Sequence, residues 1–491
     1  MSADGRCRRG SALVGTLTLA IAALLALPAL AFGHGLVQRE DLPVPEWLFS
    51  WAAAVVLIAS FVGLSVAWQT PRLEQDRWRP APALVSKLLI NPVTRFIAGL
   101  IGALLLGVTI WSGLRGAEAP ELNFSVTFVF VTVWVGLVFV SALFGDVFRA
   151  FNPWVAVASA ISGIFRLVAG ATATPPPLPY PERLGRWPAV AGLLAFIWLE
   201  LVYAVPGFTS VGLTGRTVAV ATLIYSAITF IGMALFGIRE WTERGEFLSA
   251  YFGMFAKLSP LEVRDGSLGV RPALSGLTSW AILPGSAAFV LVALGATAYD
   301  GASEGFLLEP SQWLFERFSD IGLGPLASLR LGYTLLLVAT IAVVAGLFWG
   351  GIAGMRRVKG ELSLSHLGRR FAHAFVPIAL AYVIAHYFTL LVFQEQAQFT
   401  YLLSDPLGDG SDYFGTADSG IDYGVIGAEA VWYVQVGALI VGHVLALVLG
   451  HDRAEAEFDD HQQATRSQYW MLALMVVFTS LGLFLLSQAN G

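Results

Sequence analysis

The chain has 491 residues, 56% of them apolar and 13% charged, with a mean hydropathy of +0.70. Average soluble domains carry about 25% charged residues, so this composition excludes a water-soluble globule and points to lipid as the surrounding solvent. The net charge of −5 says little by itself, because its placement matters more, and no nucleic-acid partner is expected. The lone cysteine, Cys7, leaves a mature chain without a disulfide, a thiolate nucleophile or a cysteine-bound metal.

Residues 1–33 read as a signal sequence. Arg6, Arg8 and Arg9 precede an apolar run from Ser11 to Leu27, and Ala29 and Ala31 form a small-x-small cleavage pattern. Cleavage after Ala31 leaves Phe32 first. Cleavage after Gly33 leaves His34 first, whose amine and ring could share a metal ion. An uncleaved anchor is the third option.

Residues 34–491 read as a single polytopic domain: an all-α transmembrane helical bundle of about 10 TM helices. Spans are expected near 47–68, 96–114, 124–144, 187–206, 217–237, 279–298, 331–354, 371–394, 429–450 and 468–487. The connections at 69–95, 145–186, 238–278 and 355–370 hold most of the arginines and lysines. By the positive-inside rule these face the cytoplasm, which puts the mature N-terminus outside an inner (plasma) membrane. The 395–428 connection is outside and acidic, and Pro175-Pro176-Pro177 is a stiff connector.

Two of the basic connections look interfacial. Each begins Leu-Phe-Gly, at Leu143-Phe144-Gly145 and at Leu235-Phe236-Gly237, then mixes aromatic and charged residues. One reaches Asn152-Pro153 and the other Ser259-Pro260, a pattern that fits either internal duplication or chance similarity.

Ionisable residues inside a span cost about 2.5–3.5 kcal/mol at mid-bilayer, so they mark candidate sites. Glu200 and His386 fall in an outer layer, with Asp300 and Glu304 at the outer exit of the sixth span; His373 and His443 fall in an inner layer. Tyr382 is one turn before His386 on the same helix face. His386, Glu200, Asp300, Glu304 and His34 form a candidate ligand set for zinc or copper, which would activate a water for attack. The plainer alternative is that each histidine bonds to a neighbouring helix and that Glu200 pairs with a Tyr, Trp or Arg. His451 and Asp452 read as a solvated helix end, and His366 and His461 receive no role.

Several segments carry a family likeness: His34-Gly35-Leu36-Val37-Gln38-Arg39-Glu40-Asp41, Phe371-Ala372-His373-Ala374-Phe375-Val376-Pro377, Ala385-His386-Tyr387-Phe388, Ser404-Asp405-Pro406-Leu407-Gly408 and Trp432-Tyr433-Val434-Gln435. Together, over most of the mature chain, they resemble the integral membrane proteins labelled fenitrothion hydrolase. That resemblance implies hydrolysis of an apolar organophosphate triester at its aryloxy bond. His386 and Tyr382 would then be the catalytic candidates at an outward-facing site. The alternatives are a transporter or permease, which the ten spans, the uneven polar groups and the possible repeat suit, with Pro377 breaking the eighth span, or a cell-surface metal-handling protein whose best feature is an N-terminal His34.

Overall fold

A computed structural model describes residues 46–170, 177–204, 213–303, 305–358 and 360–489. Residues 1–33, expected to be a signal sequence, lie outside the described residues, as do His34 and Glu304. Within them the chain is helical, with one small sheet as the exception. Among the described residues, eight helices are long and apolar enough to cross a membrane, and four shorter apolar helices accompany them. The protein is of the multi-pass membrane type.

In chain order the principal helices are α1 (Glu46–Ala67), α2 (Pro92–Arg115), α3 (Phe124–Phe144), α4 (Val147–Phe151), α5 (Pro153–Ala169), α6 (Trp187–Tyr203), α7 (Gly215–Phe236), α8 (Ile238–Arg244) and α9 (Phe247–Ala256). They continue with α10 (Ser286–Ser303), α11 (Leu308–Asp320), α12 (Pro325–Arg356), α13 (Leu364–Ser404), α14 (Ala428–Glu457) and α15 (His461–Ala489). The burial pattern suits lipid. Phe96, Val66 and Leu167 stand exposed, whereas Thr109, Ser125, His443 and Thr479 are buried. Apolar side chains facing outward cost nothing in hydrocarbon, while polar ones must find partners inside.

Local sequence explains the helix ends. Asn91 caps α2, its Oδ1 accepting from Thr94 N at 2.9 Å, and Pro92 occupies the first turn, where a missing N–H is harmless. Asn123 caps α3 and also donates to the carbonyls of Ser112 and Ala117, closing the α2–α3 turn. Gly145 and Gly237 end α3 and α7 with φ of +86° and +90°, a left-handed conformation that a side chain would strain. A three-stranded antiparallel sheet lies at the arginine-rich end: β1 (Arg79–Pro80), β2 (Leu261–Arg264) and β3 (Ser267–Val270), in the order β1-β3-β2.

The two Leu-Phe-Gly connections fold back against the bundle. After Gly145 the chain turns back through α4 to Asn152, and α5 then runs the other way beside α2. Gly102 of α2 admits the Phe151 carbonyl, and Gly99 meets Ala156. After Gly237, α8 climbs beside α7, with the Trp241 ring on Gly232, as far as Glu246. There α9 reverses, and Ser259 Oγ returns to the Leu143 carbonyl at 2.9 Å. Each connection is thus a re-entrant hairpin. Its depth follows from its neighbours. Gly102 is ten residues into α2, and Tyr225, which donates to Glu246, is eleven before the end of α7. At 1.5 Å per residue, both apices sit about 15 Å inside the bundle.

Three stretches widen into π-helix: Phe128–Gly136, Leu199–Tyr203 and Leu390–Gln394. Such bulges recur at functional sites because they turn side chains off the regular helical stripe. In α13, Pro377 follows a 3₁₀ turn at Ala372–Phe375 and starts a regular helical segment. The break expected at Pro377 is therefore a change of helix type just before it.

Candidate functional site

Two polar constellations stand inside the bundle. The first joins the hairpin apices. Asn152 Oδ1 accepts from Val155 N at 3.0 Å and so caps α5; its Nδ2 donates to Ser249 Oγ at 3.1 Å and lies 3.5 Å from Glu246 Oε2. Glu246 caps α9 by accepting from Leu248 N at 2.7 Å and Ser249 N at 2.9 Å. It also accepts from the hydroxyls of Tyr225 and Ser249. Trp154 Nε1 donates to Ser226 Oγ at 2.8 Å beside them. Both helix N-termini converge here, and their partial positive charge favours an anionic side chain such as Glu246. A carboxylate 1% exposed at this depth is stable only because four donors meet it.

Two cavities adjoin this apex. One is a vestibule of about 1140 Å³, lined by Asn152 and Ser249 at its deep end and by residues of the basic end elsewhere. Six cations line it (Arg95, Arg149, Arg186, Arg239, Arg244 and Lys257) against the two carboxylates Asp146 and Glu243. The other, of about 730 Å³, is almost wholly apolar and is lined by Pro153, Trp154, Glu246 and the π-helical part of α3. The apex residues form the wall between them.

The second constellation contains the residues singled out from sequence. His386 Nε2 and Asp300 Oδ2 are 2.9 Å apart, with side chains 23% and 16% exposed. Tyr387 donates to the same oxygen at 2.5 Å. Glu200, in the π-helical end of α6, is close enough for its charge to act on Asp300 and Tyr387. Helix α10 continues through Gly301, where sequence made a helix doubtful, and a side chain there would contact His386 Nδ1. The geometry therefore brings His386 and Asp300 together, with Glu200 nearby. Neither cavity is lined by Glu200, Asp300 or His386.

Tyr382 does not join this group. Its hydroxyl donates to the Phe478 carbonyl at 2.8 Å, and its ring packs on Gly482. The phenol at Asp300 belongs instead to Tyr387, the residue after His386. Among the described residues, no group of three His, Cys, Asp or Glu side chains is placed to hold a metal ion. His386 Nε2 is already engaged by Asp300.

The inner-layer histidines are separate. His443 Nδ1 donates to the Leu439 carbonyl, 2.7 Å away on its own helix, while its Nε2 and that of His373 are buried without hydrogen-bond partners among the described residues. His451 and Asp452, expected to be solvated, are 1% and 0% exposed. Asp452 accepts from Trp68 Nε1 at 2.8 Å and from the backbone N–H groups of Arg72 and Leu73. His451 meets the Trp68 carbonyl at 2.8 Å, and His461 joins Glu455 at 2.7 Å. This cluster ties the end of α1 to α14 and α15. The acidic connection after α13 spends its charge on itself: Asp405 accepts from Asp409 N and Gly410 N, and Asp412 from Gly415 N, Thr416 N and Ala417 N.

Sequence reasoning missed the apex pair, although it marked both hairpins through their Leu-Phe-Gly starts and the Asn152-Pro153 step. It missed Glu246 because that residue lies among Arg239, Glu240, Glu243 and Arg244, where charge reads as solvated loop. No family model, curated protein or solved structure matches this chain.

Proposed function

We propose that the protein passes a solute across the bilayer between its two re-entrant hairpins, with the basic end facing the cytoplasm. Taking the shorter α1 and α6 as spanning gives ten crossings, and the arginine-rich connections then all fall on one side, as the positive-inside rule requires. One observation carries the reading. A cationic vestibule and an apolar cavity meet at a wall made by Asn152 and Glu246, at the ends of two half-helices about 15 Å deep. Non-helical backbone at that depth is tolerated where it lines a cavity or is buried in protein, and discontinuous helices meeting there are a recurrent way to build a transport site. Proteoliposomes challenged in stopped flow with gradients of small neutral and anionic solutes test it. At least one solute should equilibrate faster than in protein-free vesicles, and Glu246→Gln and Asn152→Ala should slow it. Equal rates for every solute would refute the path.

The His386–Asp300 pair supports a second reading, the organophosphate hydrolase implied by the family likeness. An imidazole oriented by a carboxylate is the base half of a hydrolytic arrangement and could deprotonate a water for attack on phosphorus. Tyr387 and Glu200 would hold the dyad's geometry and charge. Membranes assayed for aryl phosphotriester turnover in detergent, without a gradient, separate the two readings. Turnover lost in His386→Ala supports hydrolysis, and absence of turnover in the unaltered protein removes it.

A further inference from the structure

Arg186 differs from every other cation around the vestibule. It is 5% exposed, whereas the side chains of Arg149 and Arg239 are 62% and 81% exposed. Its neighbours have carboxylates: Arg244 pairs with Glu240 at 3.2 Å, Arg239 with Glu243 at 3.0 Å and Lys257 with Glu262 at 3.4 Å. Among the described residues, Arg186 Nε and Nη1 have no hydrogen-bond partner and no carboxylate lies in ion-pair range. The guanidinium stacks 4.2 Å above the Trp280 ring, and both residues line the vestibule. The backbone fixes the position: Arg186 N donates to the Pro284 carbonyl at 2.7 Å, and Gly185, at φ +46°, lies tight against Pro284. Burial alone pulls the guanidinium down to about 10, so it stays charged at neutral pH.

A buried cation without a counter-charge costs several kcal/mol and persists where a ligand supplies the missing charge. The fork of a guanidinium matches oxyanions, and the Trp280 face holds it in register. Around it the vestibule has four more cations than carboxylates, six against two, which suits a doubly charged group better than a monoanion.

We propose that Arg186 is the core of an anion site in the vestibule, and that its ligand carries a phosphate group. This deepens the transport reading by naming the class of solute that enters from the basic end. The phosphate can come from a free anion or from a lipid headgroup reaching in from the neighbouring leaflet.

The full-length protein in detergent is titrated with inorganic phosphate at constant ionic strength, and its thermal midpoint is followed by tryptophan fluorescence. Phosphate should raise the midpoint of the unaltered protein. In Arg186→Gln the apparent affinity should fall at least tenfold, and Arg186→Lys should keep part of it. Without phosphate, Arg186→Gln should lose only the stacking contact with Trp280, because the replaced group makes no bond at Nε or Nη1. A merely structural arginine would lower the midpoint equally with and without phosphate. If Arg186→Gln does not fold, the phosphate-dependent change in Trp280 fluorescence, scored against Trp280→Phe, decides the question.

Native mass spectrometry with phosphatidic acid and phosphatidylcholine forms the second arm. Retention of phosphatidic acid that is lost in Arg186→Gln assigns the headgroup. No response to either phosphate source, or equal responses in both variants, overturns the proposal. Phosphate binding without flux in proteoliposomes keeps this site and removes the transport path; flux that ignores Arg186→Gln and phosphate keeps the path and removes the site.

Discussion

The first re-entrant hairpin is held against α2 by a missing side chain, and replacing Gly102 by alanine tests that directly. A Cβ on Gly102 would overlap the Phe151 carbonyl oxygen and come within 2.9 Å of its carbonyl carbon and 3.5 Å of its Cα. The oxygen would lie only 1.9 Å away, against about 3 Å or more in ordinary contact, so the backbone of the apex must retreat by roughly an ångström or more. The obstacle is main chain, not a side-chain end that can rotate away. Overpacking of this kind costs about 1–3 kcal/mol. Gly107, in the same helix, has nothing within 4 Å of the same position. Alanine there should gain the helix-propensity difference, up to about 1 kcal/mol. The two variants should therefore differ by roughly 1–4 kcal/mol in opposite directions from the unaltered protein. Thermal melts in one detergent at one scan rate, read by tryptophan fluorescence, give the comparison. A Gly102→Ala protein as stable as Gly107→Ala would mean that Phe151 does not pack on α2, and the re-entrant path of residues 145–169 would have to be abandoned.

Removing one half of the His386–Asp300 pair should destabilise more than removing both. Asp300→Asn or His386→Ala should each cost about 3–5 kcal/mol, with partial recovery in the double variant, measured as a double-mutant cycle on thermal melts. Asp452→Ala leaves the Trp68 ring N–H and the Arg72 and Leu73 amides without an acceptor, at about 1–3 kcal/mol each, and should lower the melting point sharply. Glu262, in β2, supplies a pH test. Burial pushes its carboxyl up, but Arg271 at 2.6 Å, Lys257 and Arg264 outweigh it, so the folded value lies below the ordinary 4.5. A depressed carboxylate contributes stability that is fully present above about 4.5 and is lost as pH falls through the folded value. The basic-end sheet should therefore loosen in acid, seen as faster amide exchange in residues 261–270, and Glu262→Gln should abolish that pH dependence.

The ends and character of the helices were written locally. Pro92 after Asn91, Gly145 and Gly237 after Leu-Phe, and the length of each apolar run are short-range features, and each acts through neighbours a few residues away. Height within a span is also legible, since 1.5 Å per residue converts sequence position to depth, and it puts Glu200 and His386 in a similar outer layer with Asp300 at the exit of its span. Azimuth was not legible. Whether Tyr382 or Tyr387 faces Asp300 depends on how α13 is rotated against α10 and α15, which packing decides. The hairpins show the same division. Their Leu-Phe-Gly starts are visible in the sequence, but Asn152 meets Glu246 across 94 residues only because Gly102 and Gly232 let two short helices press in from opposite elements. Burial, too, is a property of the assembled bundle: Arg186 and Asp452 read as ordinary charged loop residues until neighbouring helices remove the water around them.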